Sequence, residues 1–174
     1  GFPSAVELKA SVHYPTGLSG GPFPLVVIMH GWGGNKGNNA DITRGDAQEF
    51  VAWAKRGYAV MKYTARGFGR SCGSLESRTA TPNGCAQGWI KLARTTNEVR
   101  DTQHLAGLLA DQNLIDPQRI GVMGGSYGGG QSMALAALKD RVMDTDGKLK
   151  PWTSPGGKPM RIAAAAPSIP WTDL

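Results

Sequence analysis

The chain has 174 residues, 40% of them hydrophobic, with 25 glycines and a formal net charge of +6. That fits one globular domain with a sizeable core and excludes two independent domains, a disordered chain, a collagen and a coiled coil. No apolar run approaches the roughly 18 residues of a membrane span, and Lys and Arg are scattered, with Lys148-Leu149-Lys150 the densest patch, so neither a transmembrane segment nor nucleic-acid binding is expected.

Residues 6–14 alternate apolar and polar side chains through Val6, Leu8, Ala10 and Val12, the period of a half-buried strand. A Gly/Pro-rich turn over 15–24 follows. Residues 25–29 are continuously apolar, as in a central strand covered on both faces, and His30-Gly31-Trp32-Gly33-Gly34 ends that run. A helical pattern over 47–55, carried by Phe50, Val51, Trp53 and Ala54, stops at Gly57 before a strand over 58–63. Residues 67–88 form a long connection rich in Gly, Ser and Thr that contains Cys72 and Cys85. Helical spacing then runs over 96–112 through Val99, Leu105, Leu108 and Leu109, Asp116-Pro117 reads as a turn, and 119–123 as a short buried strand. A helix over 126–138 starts directly after it. Asp146-Gly147 signals a two-residue hairpin turn, and 162–166 form a last apolar strand. Strands alternating with helices imply an α/β fold, a mostly parallel central sheet with helices on both faces.

The chemistry concentrates at Gly124-Gly125-Ser126-Tyr127-Gly128, a GxSxG sequence between a buried strand and a helix. A nucleophile on so tight a turn takes a strained backbone, and Gly124 and Gly128 leave it room. The helix that follows directs free N–H groups and the positive end of its dipole at an oxyanion. We therefore assign Ser126 as the catalytic nucleophile and the Tyr127 N–H as one oxyanion donor. The loop after the central strand supplies a second donor, the Trp32 N–H. Neither GxGxxG nor GxxxxGK[ST] occurs, which weakens a nucleotide-binding reading.

Other residues have plainer readings. His30 orients its loop by hydrogen bonding, and His13 and His104 are structural or surface residues. Glu98 and Asp101 read as solvated charges on their helix. Arg66 and Arg70 read as braces of the loop, with contact to a substrate carboxylate as the alternative. Trp32, Trp89, Trp152 and Trp171 serve packing or line an acyl or proline pocket. With two cysteines and no clustered His, no metal and no cofactor is expected. Cys72 and Cys85 are either free thiols or a disulfide. A bridge closing about 14 residues would stabilise by about 3 kcal/mol on chain-entropy grounds, so we expect the disulfide and, from it, an exported protein, secreted or in the cell envelope.

Four segments, His30-Gly31-Trp32-Gly33, Arg66-Gly67-Phe68-Gly69-Arg70-Ser71, Asp116-Pro117-Gln118-Arg119-Ile120-Gly121-Val122 and Gly124-Gly125-Ser126-Tyr127-Gly128-Gly129, together resemble the α/β-hydrolase superfamily. Within it they resemble the CocE and Xaa-Pro dipeptidyl-peptidase (peptidase family S15) group, over the N-terminal two-thirds of the catalytic domain. In one departure, Tyr63-Thr64-Ala65-Arg66 stands where such enzymes often carry an Asp. The resemblance implies a partial α/β-hydrolase domain over 1–174, incomplete at its C-terminal side, with a hairpin insertion at about 142–160. It implies a serine hydrolase acting on a peptide, most narrowly an Xaa-Pro dipeptidyl-peptidase, or on a small ester as a CocE-like carboxylesterase. A catalytically silent binding module is the reading of another class. In this superfamily the triad runs Ser, then Asp or Glu, then His, whereas every His here precedes Ser126, and Asp140, Asp144, Asp146 and Asp173 are misplaced for the acid. The Asp and His are therefore expected in the remainder of the polypeptide beyond Leu174, and the 174 residues alone are expected to be insoluble or inactive.

Overall fold

Apolar runs with no polar face become the middle of the sheet. The computed structural model describes residues 6–18, 20–37 and 46–171. Its elements, in chain order, are β1 (Ala10–His13), β2 (Phe23–Met29), α1 (Asp46–Lys55), β3 (Ala59–Tyr63), α2 (Leu75–Ala80), a 3-10 turn (Asn83–Cys85), α3 (Glu98–Asp111), β4 (Ile115–Gly125), α4 (Tyr127–Leu138), β5 (Arg141–Met143), β6 (Leu149–Pro151) and β7 (Ile162–Ser168). Five strands form one sheet in the order β1-β3-β2-β4-β7, and β5 and β6 pair separately. β1 is antiparallel to β3, whereas β3, β2, β4 and β7 are mutually parallel.

The parallel core is built on β2, whose side chains alternate between two layers. Leu25, Val27 and Met29 face the larger cluster, with Met61 and Val122 from neighbouring strands, Val99 and Ala106 of α3 and Leu135 of α4. Val26 and Ile28 face the other side, with Val60, Trp53 of α1 and Tyr58. Helices thus cover both faces, as the alternation of elements implied. Leu25, Val27 and Ile28 are almost wholly buried and contribute about 2 kcal/mol each through burial. The C-terminal ends of β3, β2 and β4 consequently reach a common edge, and the loops that leave it build the site.

Several elements depart from the expectations. β1 is shorter than 6–14 because the preceding backbone bonds to the long loop instead: Glu7 N–H donates to Gly84 O and Lys9 N–H to Ser71 Oγ. The long connection is not featureless, since Ser74 caps α2 by accepting from Ser77 N–H. Asp116-Pro117 is no turn but the start of β4, where the register shifts against β2 between Phe23–Ile115 and Leu25–Ile120. A bulge in β4 itself, which advances five residues while β2 advances two, accommodates the residues that signalled a break. The hairpin is real, but its turn is longer than two residues: Asp144 N–H donates to Lys148 O, Gly147 N–H to Asp144 O, and Gly147 has φ +75°, a turn closed by a left-handed glycine.

The buried face of α3 also differs. Leu108 is exposed, and the inward stripe is Glu98, Val99, Thr102, Gln103, Ala106, Gly107 and Ala110. β7 extends past residue 166 to Ser168 and lies at the sheet edge with residues 163–168 exposed. The side chain of Phe50 and the whole of Asp173 lie outside the described residues.

Candidate active site

β4 runs into α4 with one residue between them, and that residue is Ser126. Its backbone sits at φ +53° and ψ −116°, a region that costs a non-glycine residue about 1–3 kcal/mol and persists only where the surroundings enforce it. Backbone packing enforces it here. A Cβ on Gly124 would lie 2.7 Å from Met29 O and 2.7 Å from Gly128 C, and one on Gly128 would lie 2.3 Å from Met29 O. The start of α4 therefore rests directly on the end of β2. Ser126 N–H donates to Ser168 O at 3.0 Å, and its carbonyl accepts from Gly130 N–H at 2.9 Å. Bonded on both sides, the turn holds Ser126 at the N-terminus of a 12-residue helix.

The loop after β2 is fixed by His30. Its Nδ1 lies 2.7 Å from Gly31 O and its Nε2 accepts from Ala65 N–H at 3.0 Å. Those partners require a proton on Nδ1 and a lone pair on Nε2, the neutral imidazole. Burial lowers the His30 pKa, opposed in part by the bond to Gly31. His30 is thus a brace of the loop, in agreement with its sequence reading. Thr64, directly after β3, accepts from Lys36 N–H at 3.0 Å through Oγ1 and ties the same loop to β3 a second time.

Trp32 and Tyr127, the two residues expected to offer oxyanion N–H groups, are brought together. Their rings meet edge to face at 5.6 Å and 86°. Phe68 packs on both, at 5.2 Å from Trp32 and 5.4 Å from Tyr127, and Trp171 at 5.6 and 5.4 Å. Trp32 remains 51% exposed while Tyr127 is fully buried, so the cluster presents one ring to the open side of the site. Among the described residues neither backbone N–H is taken up by a backbone carbonyl. The four tryptophans singled out in the sequence divide: Trp152 is core, Trp89 lies under the Arg78 guanidinium at 3.6 Å, and Trp32 and Trp171 stand at the site. Phe68 was not foreseen as a site residue; its neighbours Gly67 and Gly69, both at positive φ, were the available signal.

Glu98 and Asp101 overturn their reading as solvated charges. The Asp101 carboxylate takes two bonds from Arg66, at 2.7 Å from Nε and 2.6 Å from Nη2, with Arg66 only 3% exposed. The carboxylate beside it keeps the guanidinium charged against the opposing effect of burial. Glu98 is fully buried, accepts from Lys91 N–H, and has its pKa raised by burial. Next to it the Tyr63 hydroxyl bonds Thr102 Oγ1 at 2.7 Å and Gln131 Oε1 at 3.0 Å. Together these polar groups lock α3 to β3 and α4 beneath the site. Arg66 thus braces the loop, whereas Arg70 is 76% exposed and only 3.7 Å-paired with Glu76.

Cys72 and Cys85 are joined, with an S–S distance of 2.03 Å, and the bridge closes the stretch that follows Phe68 in the connection between β3 and α3. Among the described residues no group of His, Cys, Asp and Glu could hold a metal ion, and no helix is long and apolar enough to cross a membrane.

Solved structures share this architecture. An acetyl xylan esterase from Paenibacillus sp. R4 is 26% identical with a TM-score of 0.52, over 78% of this chain and 42% of its own. The dipeptidyl peptidase 4 of Porphyromonas gingivalis is 25% identical with a TM-score of 0.51, over 75% of this chain and 17% of its own. A thermophilic esterase from Thermogutta terrifontis is 21% identical with a TM-score of 0.55, over 94% of this chain and 50% of its own, and shows the fold alone. The chain therefore spans half or less of the length of each. Residues 4–155, most of the chain, match the profile of the X-Pro dipeptidyl-peptidase (S15 family), and with the α/β-hydrolase sheet and the Ser126 turn already in place, the chain belongs to that family.

Proposed function

We propose that this chain carries the nucleophile and oxyanion hole of a serine hydrolase that transfers an acyl group to water, most narrowly from an Xaa-Pro peptide. The observation that carries the proposal is the Ser126 backbone, held at φ +53° at the head of α4 by glycine contacts that admit no side chain. Ser126 Oγ attacks the carbonyl carbon as its proton passes to a general base. The carbonyl oxygen becomes an oxyanion between the Trp32 and Tyr127 N–H groups at the positive end of α4. Collapse expels the amine or alcohol, and water repeats the sequence on the acyl-enzyme.

No histidine in the chain is placed to be that base. His30 has both ring nitrogens engaged, His13 pairs with Val60 at the far end of β3, and His104 lines a cavity beside Trp152 and Lys150. We assign the base and acid to sequence outside these 174 residues, which also completes the partial domain around the 142–160 hairpin. The exposed edge of β7 and an apolar hollow of about 300 Å³ between Trp53, Tyr58, Met123 and Ala164 support that assignment, because folded proteins cover such edges. The disulfide supports export. A carboxylesterase is the second reading, favoured by the likeness to the acetyl xylan esterase.

In the full-length protein, Ser126→Ala is expected to lower turnover by on the order of 10⁴-fold or more with an unchanged fold, and to abolish labelling by a fluorophosphonate. Near-normal turnover in that variant would overturn the assignment, and an unlabelled wild-type Ser126 would favour the silent binding module. Comparing Ala-Pro-anilide with short acyl esters separates peptidase from esterase.

A further inference from the structure

Arg66 and Arg70 sit four residues apart but face different surroundings, and the surroundings of Arg70 have no role in the reaction described above. At the C-terminal end of β3, beside the start of β1, lies a cavity of about 560 Å³ whose lining includes Lys9, Lys36 and Arg70 and, among the described residues, no carboxylate. Its floor is fixed: Thr64 Oγ1 holds Lys36 N–H, and a Cβ on Gly69 would rest 3.7 Å from both Asn35 Cβ and Thr64 Cγ2. The three cations are compensated unequally. Lys9 is paired with Glu7, the Lys36 ammonium donates to the neutral Ser11 hydroxyl, and Arg70 meets Glu76 only at 3.7 Å across an exposed rim. A rim pair of that kind is worth little, so the cavity keeps a positive field.

It lies at the edge of the sheet where the parallel strands β3, β2 and β4 all end, the edge from which Ser126 also leaves. Arg70 is two residues from Phe68, which packs on Trp32, and Asn35 and Lys36 follow His30 by five and six residues in the same loop. β3 is two strands from β4, a lateral distance of roughly 10 Å at the usual strand spacing, or roughly three residues of extended peptide. We infer that this cavity is a subsite for an anionic group of the substrate, a carboxylate carried about three residues or an equivalent chain length from the scissile carbonyl. The inference rests on the hydrolase reading of Ser126. Arg70 and Lys36 are its specificity determinants: they attract the charge and do no chemistry.

The test compares matched substrates on the full-length protein. Succinyl-Ala-Ala-Pro-p-nitroanilide against its methyl ester places the charge on the acyl side. Ala-Pro-Gly-Gly-Asp-amide against Ala-Pro-Gly-Gly-Asn-amide places it on the leaving side, and the p-nitrophenyl ester of suberic half-acid against that of its methyl ester serves an esterase. At low salt, at least one charged member should have a kcat/KM about fivefold or more above its neutral partner. That ratio should fall towards one in about 0.5 M NaCl, as screening of exposed charges requires. Charge reversal in Lys36→Glu/Arg70→Glu should invert the preference, an effect that loss of packing alone does not produce. Turnover with equal rates within every pair would overturn the subsite while leaving the hydrolase reading intact. Absence of turnover on all six substrates would overturn both.

Discussion

The turn at Ser126 and the loop between β3 and α3 leave the same edge of the sheet, yet they are held in opposite ways. At the turn, backbone rests on backbone: α4 begins against Met29, and a Cβ on Gly129 would lie 2.4 Å from Ser168 O. Nothing there can shift without moving the central strand. In the loop, side chains make the structure. Arg78 covers Trp89 and donates to Cys85 O and Gly88 O, the disulfide ties Cys72 to Cys85, and Arg66 grips Asp101. The first arrangement fixes the proposed nucleophile and tolerates no added volume, whereas the second positions Phe68 beside it and can lose a contact while keeping its course.

Adding one methyl group at the turn is the most damaging way to break this contrast. Gly128→Ala would drive a Cβ to 2.3 Å from Met29 O and 2.7 Å from Met29 C. Met29 cannot retreat because it is paired on both sides, to Tyr63 and to Gly124. Overpacking against immobile backbone lies at the upper end of the usual range, about 4 kcal/mol. Urea unfolding of the full-length variant should show a loss of that size or no soluble protein at all. Wild-type stability would mean that the turn yields.

Removing the covalent tie of the loop should cost less. Cys72→Ser/Cys85→Ser is expected to lose about 3 kcal/mol, read as a lower urea midpoint, while fluorophosphonate labelling of Ser126 continues because the turn does not depend on the bridge. Labelling lost together with the bridge would show that the loop sets the turn, and the distinction between the two regions would fail.

The same contrast explains what the sequence disclosed. β2, β4, α4 and the Ser126 turn were legible because their determinants are local: an unbroken apolar run, a strand followed at once by a helix, and glycines at fixed offsets. The pairing of Cys72 with Cys85 could be reasoned from loop closure. The burial of Glu98 and Asp101 could not, since it depends on Arg66, more than thirty residues earlier in the chain, and on polar partners from β3 and α4. Of the leucines of α3, Leu105 and Leu109 pack on the core as expected, and only Leu108 misled. The helix also turns the small Ala106, Gly107 and Ala110 inward, and a Cβ on Gly107 would sit 2.9 Å from Pro155. Close approach of segments distant in sequence selects small residues, and a hydrophobicity pattern weighs those least. Asp116-Pro117 failed as a turn because a bulge in a paired strand uses the same residues.

The smallest expected effect lies between the two regions, at His30, which belongs to the loop after β2 and reaches across to Ala65 at the start of the second. Its folded form is neutral, with Nε2 accepting from Ala65 N–H, and its pKa is lowered from the ordinary 6.5, chiefly by burial. As the pH falls through 6.5 the unfolded chain takes up a proton on this ring, while the folded protein does not until a lower pH. The unfolded state then binds more protons, so stability declines with falling pH in that window and is fully present above it. His104 is also depressed by burial and acts with the same sign. The two are separated by comparing His30→Gln and His104→Gln with the wild type in urea unfolding at pH 8 and at pH 5.5. The decline should shrink in both variants, and each ring's share is the amount by which its own variant shrinks it. An unchanged decline in His30→Gln would show that the folded ring takes up its proton as readily as the unfolded one, so that burial and the Ala65 N–H do not hold Nε2 as an acceptor, and the tie between the loop after β2 and the end of β3 would fail.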